Sequence, residues 1–252
     1  MIIGKDMELV EGLPVLYIAS IKALVVSDLH LGYEGGMAKT GVVIPKANLK
    51  SILESITKAV GGRDVKQLII VGDIKNNFSK VSIEELRELR EITTAMREKG
   101  VAVEMVKGNH DNFIETYSKD LGIRVHNDHL ILGDYLFAHG DKQLSPTDTK
   151  ISTIIIGHEH PSIGIRTRFG TMERMRCFLY GDISYSGRKA NLIVLPAIGY
   201  FETGSDVNVY SKSRIMSPVL KKAGIDSMEA IVVSHGSTLS FGRVGSLRRL
   251  EL

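Results

Sequence analysis

Five short apolar runs in this chain each end on residues that can bind a metal ion. The first, residues 23–26, leads into Asp28 and His30. Small and β-branched apolar residues in such a run indicate a strand buried on both faces, and ligands of an open α/β sheet bind where its strands end. The other runs are residues 67–71, 101–106, 135–138 and 153–156, which lead into Asp73, into Asn109 and His110, into His139, and into His158 and His160.

The histidines of the chain are concentrated in these loops. Five of the eight lie there, whereas His126, His129 and His235 do not and are interpreted as ordinary surface or core histidines. Random placement would rarely produce this pattern. We therefore predict that the five loops converge on one site.

Length and composition indicate a globular α/β protein. The chain has 252 residues, enough for one large domain or two small ones, and we predict one domain over 1–252 because metal-capable residues from 28 to 160 have to converge. Its hydrophobic content of 43% and charged content of 24% argue against disorder. The net charge of +3 permits a nucleic-acid or nucleotide partner without indicating one.

Cysteine usage and the N-terminus bear on location. Cys177 is the single cysteine, so an intrachain disulfide is excluded and a reducing cytoplasm is favoured. Asp6, Glu8 and Glu11 interrupt the region where a signal peptide would be apolar, and no apolar run approaches the ~20 residues that span a bilayer. We expect a soluble cytoplasmic protein without a membrane partner.

The first half of the chain alternates predicted strands and helices. Strands are expected around residues 9–10 and 15–18, and the Gly-rich stretch 33–44 is predicted to be a loop. Pro45 is predicted to open a helix, and Ser82 to begin another through a capping box. Strand and helix alternation is typical of parallel βαβ units.

The second half is predicted to be mostly sheet. A hairpin turn is expected at Gly133 and Asp134, and one helix near residues 219–223. Two mixed sheets packed face to face, with helices outside, would bury all of these strands. We therefore predict an α/β fold, a four-layer α/β/β/α sandwich. The later predicted strands are residues 163–168, 175–180, 191–195, 228–233 and 238–243.

The five loops supply seven nitrogen and oxygen donors. This number suits two ions that share a bridging carboxylate. The mixture of imidazole, carboxylate and amide oxygen fits Mn, Fe, Zn, Ni or Co better than Ca or Mg, so we predict two divalent transition-metal ions, manganese first. The donors are Asp28, His30, Asp73, Asn109, His139, His158 and His160.

Such a site favours an anionic substrate. Two divalent ions opposed by two ligand carboxylates stay net positive, which suits a phosphate ester. Ions about 3.5–4 Å apart can hold a bridging hydroxide as the nucleophile for in-line displacement. His110, which is not among the donors, would protonate the departing alkoxide as general acid.

The loops resemble the five ordered signatures of the calcineurin-like metallophosphoesterases. The resemblance implies that Asp28, His30, Asp73 and His160 hold one ion. It also implies that Asp73 bridges to a second ion, completed by Asn109, His139 and His158, with His110 as general acid. The matching stretches are Asp28-Leu29-His30, Gly72-Asp73, Gly108-Asn109-His110-Asp111, His139-Gly140 and Gly157-His158-Glu159-His160.

Departures from the family pattern bear on the substrate. Phosphoprotein phosphatases of this superfamily carry Asp-Arg-Gly shortly after the bridging Asp, where this chain has Asn76. We predict that the Asn76 side-chain oxygen orients His110, less strongly than a carboxylate would, which disfavours protein dephosphorylation. The alternative is that Asn76 is an ordinary turn residue. The runs 28–32, 195–199 and 204–207 are similar instead to the branch of SbcD-type exonucleases and ligase-associated endonucleases, which act on phosphodiesters.

The sequence thus predicts a phosphodiesterase acting on a nucleotide or nucleic-acid end. A small-molecule phosphomonoesterase is the first alternative, and a non-catalytic metal-dependent nucleotide or nucleic-acid binding module is the second, which His110 argues against. Two groups of arginines could contact phosphates, but a solvated strand face is favoured because no aromatic residues are interleaved. The groups are Arg166, Arg168, Arg174 and Arg176, and Arg243, Arg248 and Arg249.

Overall fold

A computed structural model of the chain describes residues 1–147, 150–167, 170–234 and 236–248. The strands in this part of the chain are β1 (Ile2–Ile3), β2 (Met7–Leu9), β3 (Leu16–Ile18), β4 (Ala23–Val26), β5 (Gln67–Val71), β6 (Ala102–Val106), β7 (Ile123–His126), β8 (Leu130–Leu132), β9 (Tyr135–Ala138), β10 (Thr153–Ile156), β11 (Pro161–Arg166), β12 (Met172–Tyr185), β13 (Arg188–Val194), β14 (Ser205–Asp206), β15 (Glu229–Ser234) and β16 (Ser237–Arg243). The helices are α1 (Tyr33–Lys39), α2 (Asn48–Val60), α3 (Ile83–Glu98), α4 (Glu115–Leu121), α5 (Pro218–Ala223) and α6 (Val244–Leu247), with 3₁₀ turns at Lys212–Arg214 and Ile225–Ser227.

The first sheet places three of the predicted loops side by side. Its seven strands follow the order β1-β2-β3-β4-β5-β6-β7, antiparallel up to β4 and parallel from β4 to β7. Helices α2 and α3 connect β4 to β5 and β5 to β6, which confirms the predicted βαβ units. The loops that carry Asp28, Asp73 and Asn109 therefore leave adjacent carboxyl ends.

The second sheet places the other two loops together. It contains β14-β11-β12-β13-β10-β9-β8 in that order, with β15 joining β12 to β16. Strands β9 and β10 are parallel, so the loops that carry His139 and His158 also leave neighbouring ends. Strands β8 and β9 form the hairpin predicted at Gly133 and Asp134.

Alternate residues of the central strands enter different cores. Val25 of β4 packs with Phe137 between the two sheets, whereas its neighbour Val26 packs with Ile52 under the helices of the first sheet. On the far side, Leu220 of α5 packs against the outer face of the second sheet. These layers are the predicted α/β/β/α sandwich.

Glu34 lies at two places where the observed helices differ from the predicted ones. The stretch 33–44, predicted to be a loop, contains α1, and α2 begins at Asn48 instead of at Pro45. Glu34 of α1 is buried, and its Oε1 accepts the backbone N–H groups of Ala47 and Asn48 at 2.9 Å each. This tertiary contact starts α2 and outweighs the low helix propensity of the two glycines in α1.

The capping box predicted for α3 is present, with the Ser82 side chain accepting from Glu85 N and the Glu85 side chain accepting from Ser82 N.

No helix among the residues that the structure describes combines the length and apolar character needed to cross a bilayer.

Candidate metal centre

The seven predicted donors come together where the carboxyl ends of strands from both sheets meet. Asp28, after β4 of the first sheet, places Oδ1 3.2 Å from Nε2 of His160, which lies in the loop between β10 and β11 of the second sheet. Asp73, after β5, places Oδ2 3.3 Å from Nε2 of His139, after β9. Each contact joins a carboxylate of one sheet to an imidazole of the other.

The donors form two groups, within each of which the ligand atoms lie within 4.8 Å of one another. The Asp28 group consists of Asp28, His30 and His160, and the Asp73 group consists of Asp73, His139 and His158. Asn109 adjoins the Asp73 group, since its Oδ1 lies 3.2 Å from His139 Nε2. The groups are adjacent, with His139 Nδ1 3.9 Å from Asp28 Oδ1.

Main-chain contacts between the loops fix these donors. The backbone N–H groups of Leu29 and His30 both donate to the carbonyl of Asp73, at 2.9 and 3.1 Å. The N–H of His158 donates to the Asp28 carboxylate, with its nitrogen 3.2 Å from Oδ2. The loops after β4, β5 and β10 thus form one hydrogen-bonded unit across the two sheets.

Two glycines are required by the close approach of these loops. A Cβ at Gly157 would lie 1.7 Å from Ser27 Oγ, and a Cβ at Gly108 would lie 2.1 Å from Asp73 Oδ1. Neither distance is compatible with a real side chain, so only glycine lets the loops reach each other.

The buried carboxylates of the site are balanced by imidazoles. Burial opposes ionisation of Asp28, but His160 and His139 outweigh it and hold the pKa of Asp28 well below its usual range. In turn, Asp73 and Asp28 overcome burial and raise the pKa of His139 to about 9. Asp28 and Glu202 likewise overcome burial and raise the pKa of His160 to about 10. Each group therefore requires positive charge beside its carboxylate.

The remaining imidazoles favour the neutral form. Burial is the largest influence on both, and it lowers the pKa of His30 and of His158. Their ring nitrogens face those of their partners, since His30 Nε2 lies 3.4 Å from His160 Nε2 and His158 Nδ1 lies 3.2 Å from His139 Nε2. A neutral imidazole offers a lone pair, which is what a metal ligand needs.

His110 lies beside both groups and is held by the main chain. Its backbone N–H donates to Asp73 Oδ1 at 3.0 Å, and its ring centroid lies 5.0 Å from that of His30. Its Nδ1 lies 2.7 Å from the backbone carbonyl oxygen of Asn76. The predicted contact through the Asn76 side chain is therefore wrong: the turn after β5 aims the main-chain carbonyl at the histidine.

Sequence patterns did not single out Glu202 or Asn48, which position the Asp28 group. Glu202 Oε2 lies 3.3 Å from His160 Nδ1. Buried Asn48 donates through Nδ2 to the carbonyls of Leu29 and His30, at 3.0 Å each, and accepts from Tyr200 N at 2.6 Å. The only signal near Glu202 was its position between the runs 195–199 and 204–207.

Other predicted residues lie apart from the donors. Arg176 is half-buried and donates to the carbonyls of Gly199 and Tyr200 at 2.6 and 2.7 Å, so it is less solvated than predicted. His126 instead contacts Glu104 at 2.8 Å. Three predicted residues lie outside the part of the chain that the structure describes, namely Arg168, His235 and Arg249.

A family model and a solved structure agree with this architecture. Residues 21–176 match the model of the calcineurin-like phosphoesterases. Among solved structures, the nuclease MPE of Pseudomonas putida superposes with a TM-score of 0.62 at 20% identity, covering 92% of this chain and 94% of that one. Yfce, a phosphoesterase from E. coli, gives a TM-score of 0.38 at 13% identity, covering 86% and 95%. No curated protein matches the chain.

Proposed function

Because this chain belongs to the calcineurin-like phosphoesterase family, we propose that it is a phosphodiesterase that uses two divalent transition-metal ions and acts on a nucleotide or nucleic-acid substrate. One observation carries this proposal. Two groups, each with one carboxylate and two imidazoles, lie beside each other and beside a further histidine that is held by the main chain.

The donor set fits two transition-metal ions. We assign His30, His160 and Asp28 to one ion, and His139, His158 and Asn109 to the other, with Asp73 shared between them and manganese as the first candidate. The nearby carboxylates raise the pKa of His139 and of His160, so each group favours positive charge beside its carboxylate. When bound, the ions would supply Lewis-acid activation of the phosphoryl group and a nucleophile at neutral pH.

His110 is assigned the role of general acid. A carbonyl can only accept a hydrogen bond, so the Asn76 contact at 2.7 Å makes Nδ1 the donor and leaves Nε2 for proton transfer. Nε2 lies on the side of Asp73, whose Oδ2 is 3.7 Å away. A proton held at Nε2 is therefore placed to pass to the leaving-group oxygen, which becomes the alcohol product.

The substrate class rests on charge and on the motifs after the metal loops. Two ligand carboxylates do not neutralise two divalent ions, so an anionic phosphoester is favoured. The runs 195–199 and 204–207 are similar to a branch that acts on phosphodiesters, and the Pseudomonas putida protein with the same fold is a nuclease.

We propose further that residues 1–252 act as one domain in the cytoplasm. In support, strands from β1 to β16 contribute to two sheets that share one inner core. Cys177 is a buried free thiol, which suits a reducing compartment.

Hydrolysis of bis(p-nitrophenyl) phosphate and of p-nitrophenyl phosphate by the manganese-loaded protein tests the proposal. A diesterase turns over the first compound with the higher kcat/KM. A clear preference for the second would instead support a small-molecule phosphomonoesterase. Manganese binding with neither activity would support a binding module.

A further inference from the structure

The exposed aromatic ring of Phe78 packs against one face of His110, the histidine assigned above as general acid. The ring centroids of Phe78 and His110 are 3.6 Å apart, and the ring planes are tilted by 31°. Phe78 is 57% exposed, so most of its surface is open to solvent. Burial of Phe78 in this protein alone therefore does not explain its position.

The loop around Phe78 is held by hydrogen bonds to three consecutive carbonyls. The ammonium group of Lys75 donates to the carbonyls of Asn77 and Ser79, the second at 2.7 Å. Asn112 Nδ2 donates to the carbonyl of Phe78 itself at 3.0 Å. Lys75 is completely buried, and burial of a cation costs free energy. This cation nevertheless fixes the loop from which the exposed Phe78 side chain projects.

We propose that Phe78 determines specificity by stacking on the nucleobase of the leaving group. This inference rests on the proposed function. His110 passes its proton to the leaving-group oxygen, so a ring that lies against His110 adjoins the leaving side of the phosphodiester. A held, exposed phenyl ring suits base stacking, because every nucleobase presents a planar face and the ring loses little freedom on binding.

The kinetic test compares two diesters that differ only in the leaving nucleoside. One is thymidylyl-thymidine, and the other carries an abasic sugar in place of the leaving thymidine, so the departing hydroxyl is chemically the same. We expect Phe78→Leu to lower the ratio of kcat/KM for the base-bearing over the abasic substrate by about 5- to 150-fold, the range for loss of one base stack. Phe78→Tyr should restore the ratio.

Phe113 provides a matched control. It is also 57% exposed and lies in the loop that follows His110, so Phe113→Leu should leave the ratio unchanged. An unchanged ratio in Phe78→Leu, or an equal fall in Phe113→Leu, overturns the inference while the diesterase function stands. Failure of the wild-type protein to cleave either diester overturns both.

A binding measurement separates recognition from turnover. The chain contains no tryptophan, so Phe78→Trp introduces a unique fluorophore at the proposed stacking position. In a manganese-loaded His110→Gln background, which keeps a planar group beside residue 78, the base-bearing diester should quench this fluorescence, and the abasic diester should quench it much less. Leu239→Trp on β16, a position that is 59% exposed, is the control and should respond to neither. Equal quenching by both diesters at position 78 contradicts the proposal.

Discussion

At the scale of single residues, five of the seven proposed ligands share an unusual backbone conformation. Eight residues other than glycine have positive φ in the described part of the chain, and five of them are proposed metal ligands. This conformation costs of order 1–3 kcal/mol per residue and persists where the surroundings impose it. The five are Asp28 (φ 57°), His30 (46°), Asp73 (49°), His158 (67°) and His160 (45°).

Substitutions of His110 and of Asn76, which are in contact, should have different effects on kcat. His110→Ala should lower kcat on bis(p-nitrophenyl) phosphate by about 10²–10⁴-fold, because proton donation to the leaving group is lost. Asn76→Ala should change kcat little, because the main-chain carbonyl that holds His110 remains. Elemental analysis should find unchanged metal content in both variants. Retained activity in His110→Ala would contradict the assignment.

Glu202 should affect metal affinity through His160. In Glu202→Gln the negative charge 3.3 Å from His160 Nδ1 is removed, so the imidazole becomes a weaker ligand. Loss of such a partner typically costs about 10–100-fold in metal affinity. Calorimetric titration with manganese measures this change, and Glu54→Gln on the exposed face of α2 is the control. Equal affinities in the two variants would exclude a positioning role for Glu202.

At the scale of elements, Asp111 joins the loops after β5 and β6. The residue is fully buried, and its Oδ1 accepts from Ile74 N at 2.9 Å while its Oδ2 accepts from Gly108 N at 2.9 Å. Asp111→Asn turns one acceptor into a donor and leaves a buried N–H unpaired, so the free energy of unfolding should fall by about 1–3 kcal/mol. Urea denaturation measures the loss, and the exposed substitution Asp120→Asn should show almost none.

Sequence patterns predicted the elements whose signals are local. Strand hydrophobicity, the donors at strand ends and the capping box of α3 each lie within a few consecutive residues. Contacts between distant segments were not predictable in this way. Glu34 starts α2 through Asn48, and Glu202 reaches His160 from the segment between β13 and β14. The contact from Asn76 was mispredicted because a backbone carbonyl carries no side-chain signature.

At the scale of the whole molecule, protons and metal ions compete for the junction of the two sheets. Raised pKa values of about 9 for His139 and about 10 for His160 keep both protonated at neutral pH without metal. A divalent ion must displace these protons, so manganese binding at pH 7 should release protons, and its affinity should increase with pH between 6.5 and 8.5. Calorimetry in two buffers of different ionisation enthalpy measures the release. Affinity that falls over this range would contradict the charge balance described here.

The most direct test of the central claim is hydrolysis of bis(p-nitrophenyl) phosphate by metal-stripped protein as manganese is added in known equivalents. We predict no activity without metal, little with the first equivalent and a plateau at two equivalents per chain, because both groups must be filled. Activity without metal, a plateau at one equivalent, or no activity at any manganese concentration would contradict a two-ion phosphodiesterase.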